Sequence, residues 1–246
     1  MAAATPELEL LELHRHTAFA FDGRGRMTHE RAPDRSRGKR FSFVGCREGN
    51  LGVIRDDVRD PSARELERLI DEEPPLSSPD AVPVHCEDYL ALLDRPLSAH
   101  LLGLLWVFPT PLRYVHEVRL VRSGTSDGDR LLSRFADLVH DSLAEAGFRE
   151  AGDLWAPWCI ALVDGHGVAS IAQTVRAGPG GAEVGVNTAI GYRGLGLGAA
   201  ATAGWSAHPD FEQRTLFYST SRENRSSRRV ATRLGLRFVG STFAVP

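Results

Sequence analysis

Ala182-Glu183-Val184-Gly185-Val186-Asn187-Thr188-Ala189-Ile190-Gly191-Tyr192-Arg193-Gly194-Leu195-Gly196-Leu197-Gly198-Ala199-Ala200 runs from strand through turn to glycine-rich bend and helix. Glycines at 194, 196 and 198 remove the side chains that would hold a ligand away from the backbone. The helix that follows leaves its first N–H groups unpaired and turns its positive dipole end outward. Such a bend beside Arg193 holds a phosphate. The alternative is a tight strand-to-helix turn with no ligand.

Outward from this segment, the pattern predicts strands over 182–188, 215–221 and 236–245 and helices over 195–206 and 226–234. Upstream, 158–163 and 168–175 read as two strands joined by a hairpin turn at Asp164-Gly165-His166-Gly167. Leu131, Leu132, Phe135, Leu138, Val139 and Leu143 make one apolar stripe, hence one helix stopped by Gly147. Residues 115–121 alternate like a strand. From about residue 113 the order is therefore β-α-β-β-β-α-β-α-β, an α/β fold with a mixed sheet flanked by helices. Further back, 101–108 is a buried strand and 41–46 and 51–58 are strands joined at Glu48-Gly49-Asn50. Ser62-Ala63-Arg64-Glu65 resembles a capping box before a short amphipathic helix. Asp22 to Lys39 and Pro74 to Pro83 read as loops.

The 246 residues carry 29 basic and 32 acidic side chains, a net charge of -3, so no strong field draws the chain to nucleic acid or anionic lipid. Neither is an expected partner. The longest apolar run, Leu101 to Phe108, is far short of the roughly 20 residues a membrane helix needs. Glu7, Glu9 and Glu12 give the first segment the wrong charge for a secretory signal, so a cytoplasmic location is expected. Cys46, Cys86 and Cys159 lie too far apart for a Cys-x-x-Cys site and read as small buried hydrophobes. His14 and His16 have no acid or cysteine at zinc spacing and read as a surface pair; no metal is expected. His116, His140 and His166 are unremarkable singly, and no Gly-x-Ser-x-Gly elbow supports a serine hydrolase.

Two phosphate ligands fit the glycine bend. Gly194-Leu195-Gly196-Leu197-Gly198-Ala199 matches the Gly-x-Gly-x-x-Ala form of a dinucleotide fingerprint. That motif needs an acidic residue about 20 positions on, where this chain has Arg214 and Thr215. The other ligand is an acyl-CoA. Arg193-Gly194-Leu195-Gly196-Leu197-Gly198 resembles the Arg/Gln-x-x-Gly-x-Gly/Ala pyrophosphate loop of the GNAT superfamily of N-acyltransferases. Ala182-Glu183-Val184-Gly185 is similar to the strand before it. Asn224-Arg225-Ser226-Ser227-Arg228-Arg229-Val230-Ala231-Thr232-Arg233-Leu234-Gly235-Leu236 resembles that superfamily's Asn-x-x-Ser-x-x-Val-Ala-x-x-Leu-Gly-Phe signature.

The resemblance covers about residue 115 to the C-terminus. It implies a GNAT-like domain over 113–246, preceded by an additional N-terminal α/β region over 1–112, either an extra domain or an elaborated partner half. It also implies acetyl-CoA as cosubstrate, with the strand before the loop splayed from its parallel neighbour. Val186, Asn187 and Thr188 would then pair with the pantetheine amides. Backbone N–H groups of Arg193, Gly194, Leu195, Gly196, Leu197 and Gly198 would hold the pyrophosphate, and Asn224 would contact the cosubstrate, cap its helix, or do both. Arg222, Arg225, Arg228 and Arg229 cluster nearby and read mostly as a solvated helix face, from which one could reach the ribose phosphate.

Acyl transfer to an amine needs a base, because an ammonium with a pKa of about 10.4 has no lone pair at neutral pH. Glu183 is the candidate base, or else a solvent-facing carboxylate; Glu117 is a second choice. The resemblance places a thiolate-protonating tyrosine where this chain has Ala231, leaving Tyr218 or Ser219 as substitutes. The expected activity is N-acetyl transfer to a primary amine in a ternary complex, on a small-molecule or peptide acceptor; the alternative is a non-catalytic acyl-CoA-binding module. A homodimer is compatible with the sequence.

Overall fold

The computed structural model describes residues 5–96, 100–163 and 167–246. Helix α1 (Glu7–Ala18) leads into a small hairpin, β1 (Phe19–Phe21) and β2 (Met27–Glu30). A second hairpin, β3 (Phe41–Cys46) and β4 (Gly49–Ile54), precedes α2 (Asp60–Glu72), α3 (Cys86–Leu92) and β5 (Leu101–Val107). Then come β6 (Arg119–Arg122), three short helices α4 (Ser126–Leu132), α5 (Phe135–Leu138) and α6 (Asp141–Glu145), and the meander β7 (Trp158–Val163), β8 (Gly167–Ala177) and β9 (Gly181–Thr188). The chain ends with α7 (Leu197–Ser206), β10 (Thr215–Ser221), α8 (Arg225–Arg233) and β11 (Arg237–Val245).

The nine strands from β3 to β11 form one mixed sheet in the order β4-β3-β11-β5-β10-β9-β8-β7-β6. Among the described strands of this sheet only β9 and β10 are parallel neighbours; a right-handed crossover through α7 is the economical way to join such a pair. Alternation along the strands gives the sheet two apolar faces. On one, Leu104, Trp106, Val184 and Tyr218 lie with Ala199, Ala201 and Trp205 of α7 and Ala231 of α8. The same face continues as Phe41, Phe43 and Phe243 under α2 and α3. On the other, Leu10 and Leu11 of α1 cover Val44, Leu105 and Phe217, and Leu131, Phe135 and Leu143 of α4 to α6 cover Ile160 and Ile171.

Residues 1–112 and 113–246 share this sheet. Strand β5 lies between β10 and β11, antiparallel to both, and the β3–β4 hairpin extends the far side of β11.

Several expected boundaries shift. The stripe from Leu131 to Leu143 is three short helices, because Val139 turns extended to bridge Val168 and the His140 side chain then caps a new turn through the Ser142 N–H. Gly147, at φ 102, still ends the run. The strand expected over 115–121 is confined to Arg119–Arg122, with Val115 exposed ahead of it. The expected loop over 22–39 contains β2, paired to β1. Helix α2 begins at Asp60 with Pro61 in its first turn and no side-chain cap, so Ser62 and Glu65 form no capping box. The tip of the β7–β8 hairpin, including His166, lies outside the described residues, but its strands pair up to Val163 and Gly167.

Candidate functional site

Strands β9 and β10 pair from Gly181↔Thr215 to Val184↔Tyr218 and there stop, although β9 runs on to Thr188 and β10 to Ser221. Each stays held by its outer neighbour, β9 by β8 to the end and β10 by β5. The two strands therefore part with their facing edges unladdered. The backbone of residues 185–188 is left with one strand partner, a ready edge for an extended ligand bearing amides.

The glycine bend closes the end of this gap. Gly194 and Gly196 sit at φ 85 and 87, where a side chain would be strained. Gly196 is the N-cap of α7, no side chain caps the helix, and the first helical bond runs from the Ala200 N–H to the Gly196 carbonyl. The amides of Leu197, Gly198 and Ala199 are thus the orphan donors of a helix start. Side chains tie down the opposite, carbonyl side of the loop. Arg193 Nε donates to the Thr188 carbonyl at 3.2 Å, Arg233 donates to that of Gly194 at 3.4 Å, and His116 Nε2 lies 3.2 Å from that of Leu195.

A cavity of about 420 Å³ lies over this loop, lined by Val186 to Thr188, the glycine bend, and Asn224, Ser227, Arg229, Val230 and Arg233 of the α8 region. Three arginines and no carboxylate line it, so its field favours a polyanion. Of the expected cosubstrate residues, Val186, Asn187, Thr188, Arg193, Gly194, Gly196, Leu197, Gly198 and Asn224 line this cavity; Leu195 stands exposed at its edge. Asn224 accepts from the Ser227 N–H at 3.0 Å, the helix-capping role, which leaves its amide NH₂ uncommitted. Arg229 reaches the cavity, whereas Arg222 is committed to the Asp80 and Ala81 carbonyls. Arg233 went unpicked in the sequence; its spacing of four from Arg229 was the available signal.

Glu183 lies on the opposite face and is 1% exposed, so it is no solvent-facing carboxylate. Arg176 Nη1 donates to both of its oxygens at 3.1 and 3.2 Å, Ser219 Oγ donates to Oε1, and His14 Nε2 lies 3.2 Å from Oε2. Burial alone would push this carboxyl up. The Arg176 charge and the His14 and Ser219 bonds outweigh it and hold Glu183 well below the usual carboxylate range. A carboxylate so stabilised is a poor proton acceptor at neutral pH, which argues against Glu183 as the base. Glu117 is exposed and lies ahead of β6. His14, expected at the surface, is 8% exposed, and His16 pairs with Glu12 at 3.0 Å.

Tyr218 is 1% exposed on the α7 and α8 side, and its hydroxyl has no hydrogen-bond partner among the described residues. Burial pushes it up to about 12, against a smaller opposing pull from Ser227. It keeps its proton but does not line the cavity, whereas Ser227 does. Ser219 is spent on Glu183. Cys46 and Cys159 are buried, with the Cys159 thiol pushed up to about 12 by burial, while Cys86 is half-buried. Among the described residues no helix is long and apolar enough to cross a membrane, and no cluster of metal-ligating side chains forms.

No protein-family model matches the chain, and no curated protein does. Among solved structures, the chain is similar to a protein classed as a GNAT-family acetyltransferase from Novosphingobium aromaticivorans DSM 12444, at 24% identity and a TM-score of 0.45 over 59% of this chain and 63% of that one. It is also similar to a GNAT-family acetyltransferase from Colwellia psychrerythraea, at 15% and 0.42 over 65% and 62%. A GCN5-related N-acetyltransferase-like protein from Streptococcus suis 89/1591 is matched at 14% and 0.42 over 84% of each chain. The chain thus spans under two thirds of the first two structures.

Proposed function

We propose that the protein transfers an acetyl group from acetyl-CoA to a primary amine, with both substrates bound together at the β9–β10 gap. The observation that carries this reading is the coincidence of three features in one cavity: an unladdered strand edge at 185–188, a left-handed glycine bend with orphan amides at 197–199, and arginines without a carboxylate. The amides and Arg193, Arg229 and Arg233 would hold the diphosphate and ribose phosphate, and the edge of β9 would hold the pantetheine. A dinucleotide has no use for an open strand edge, and about 20 positions after the glycines, where its acid is expected, the chain has Arg214 and Thr215 at the start of β10. When bound, the thioester supplies an activated carbonyl.

An N–H of the β9 edge near Val186 would polarise that carbonyl. Tyr218 is the candidate to donate a hydrogen bond toward the departing sulfur, although its hydroxyl makes no hydrogen bond to Ser227 or to any other described residue. A phenol near 12 does not give its proton outright to a thiolate whose conjugate acid has a pKa of about 8.5, so most of that protonation falls to water. The buried Ala231, in the place of the resemblance's tyrosine, favours a second reading, an acyl-CoA-binding module without turnover.

A thiol-release assay with acetyl-CoA and a panel of amines separates the two. The enzyme liberates CoA faster with at least one amine than without. A binding module shows the same slow release throughout, and that result would retire the transferase reading.

A further inference from the structure

A second cavity, of about 330 Å³, meets the same break in the sheet from the opposite face. Its floor is the free half of β10, Ser219 to Ser221, with Gly103 of β5, Thr242 and Ala244 of β11 and Ser42 of β3 beside it. Strand registers place Val44, Thr242, Gly103 and Ser221 in one cross-strand row and Ser42, Ala244 and Leu101 in the next. Apolar walls come from Val44, Leu51, Val53 and Leu101, and the end nearest β9 is closed by His14, Glu30 and Arg176. We infer that this cavity is the acceptor site, that it takes a primary amine on an apolar body, and that His14 is the base that deprotonates it. This inference rests on the acyl-transfer reading above.

The assignment of His14 follows from its partner. Glu183 is held ionised by Arg176 and can only accept hydrogen bonds, so His14 Nε2 must carry the proton of that contact. In the neutral ring the lone pair then lies on Nδ1, which has no partner among the described residues, and the residue lines the cavity. Glu183 is a positioning residue: it fixes the tautomer and stabilises the imidazolium, as a carboxylate does behind a catalytic histidine. In the step itself, His14 Nδ1 takes one proton from the ammonium. The freed lone pair forms the C–N bond to the thioester carbonyl carbon, and the C–S bond pair leaves with sulfur. The second nitrogen proton passes to the thiolate, and the imidazolium returns its proton to water.

The acceptor class follows from the lining. Glu30 and the buried Glu183 are the carboxylates at this end, and both are engaged by Arg176, Glu30 at 3.0 and 3.2 Å. Among the described residues no other carboxylate lines the cavity to meet the additional charges of a polyamine or an aminoglycoside. Glu183 on β9 contacts His14, and the other ionisable groups lining the cavity are Arg176 on β8, Glu30 on β2, Arg15 on α1 and Lys39 ahead of β3. The cavity-lining residues of β3, β4, β5, β10 and β11 are hydroxyl-bearing, apolar or glycine.

The test uses the full chain with acetyl-CoA and either benzylamine or spermidine. A melting shift with acetyl-CoA alone is read first, and its absence from the wild type would remove the donor reading and this one with it. With the shift present, kcat/KM for benzylamine should exceed that for spermidine by at least about tenfold. His14→Gln should keep the shift, lower kcat by about 10²–10⁴, abolish the acid limb of the pH profile and regain turnover with added imidazole. Leu101→Trp, at a half-exposed wall position, should raise the benzylamine KM by about tenfold or more and leave the shift unchanged. A His14→Gln enzyme with wild-type kcat and an intact acid limb would overturn the base assignment. A preference for spermidine, or an unchanged KM in Leu101→Trp, would overturn the acceptor site.

Discussion

The two cavities that flank the β9–β10 break are built by opposite means. On the α7 face, one run of chain from Val186 to Arg233 supplies nearly everything, and its chemistry is backbone amides and exposed arginines. On the α1 face, side chains from α1, β2, β3, β4, β5, β8, β10 and β11 converge, and the chemistry rests on an ion network around the buried Glu183. A cavity of the first kind binds a fixed chemical group and tolerates change in most of its side chains. One of the second kind ties recognition to folding, because its polar groups are desolvated together.

That contrast breaks most readily at Arg176. Arg176→Met would leave the buried Glu183 with only His14 and Ser219 as donors, a loss of about 3–5 kcal/mol of stability. Urea denaturation reads it, and a loss below about 1 kcal/mol would mean that the network is relaxed by water. On the other face, Gly196→Val puts a β-branched residue at φ 87. It should weaken acetyl-CoA binding by about two orders of magnitude, roughly 2.7 kcal/mol, while most of the stability remains; titration calorimetry distinguishes this from unfolding.

Smaller effects sharpen the same division. Arg229→Gln and Arg233→Gln should each weaken acetyl-CoA binding by about tenfold and flatten its dependence on salt, since exposed cations act through screened charge. Asn224→Ala should cost about 1 kcal/mol through the lost Ser227 cap. Acid should act on the α1 face rather than on the α7 cavity, which no carboxylate lines. The folded carboxyl of Glu183 is depressed, so its contribution is complete above the unfolded value of about 4.3 and drains away as the pH falls below it. Arg176→Met should lose that acid sensitivity.

The glycine bend was legible because a local rule links it to its ligand: alternating glycines at a helix start expose amides whatever the rest of the chain does. The strands from β7 to β11 were legible for a similar reason, each being a short alternating or apolar run with its own punctuation. The acceptor cavity was not. No local pattern says that His14 of α1 meets Glu183, 169 residues away, or that β5 inserts between β10 and β11. Those contacts follow from strand order, which nonlocal packing decides. Glu183 was legible as a candidate but its partners were not, because a strand position does not reveal that Arg176, just past a bulge in β8, pairs directly across from it.

The most direct measurement of the central claim is a thermal melt of the wild type and of Gly196→Val with acetyl-CoA at about 100 times the wild-type dissociation constant. The wild type should gain ~2.7 kcal/mol of stability, and Gly196→Val only about 0.4 kcal/mol. An unmoved wild-type transition, or an equal gain in the variant, would contradict diphosphate capture by the glycine bend.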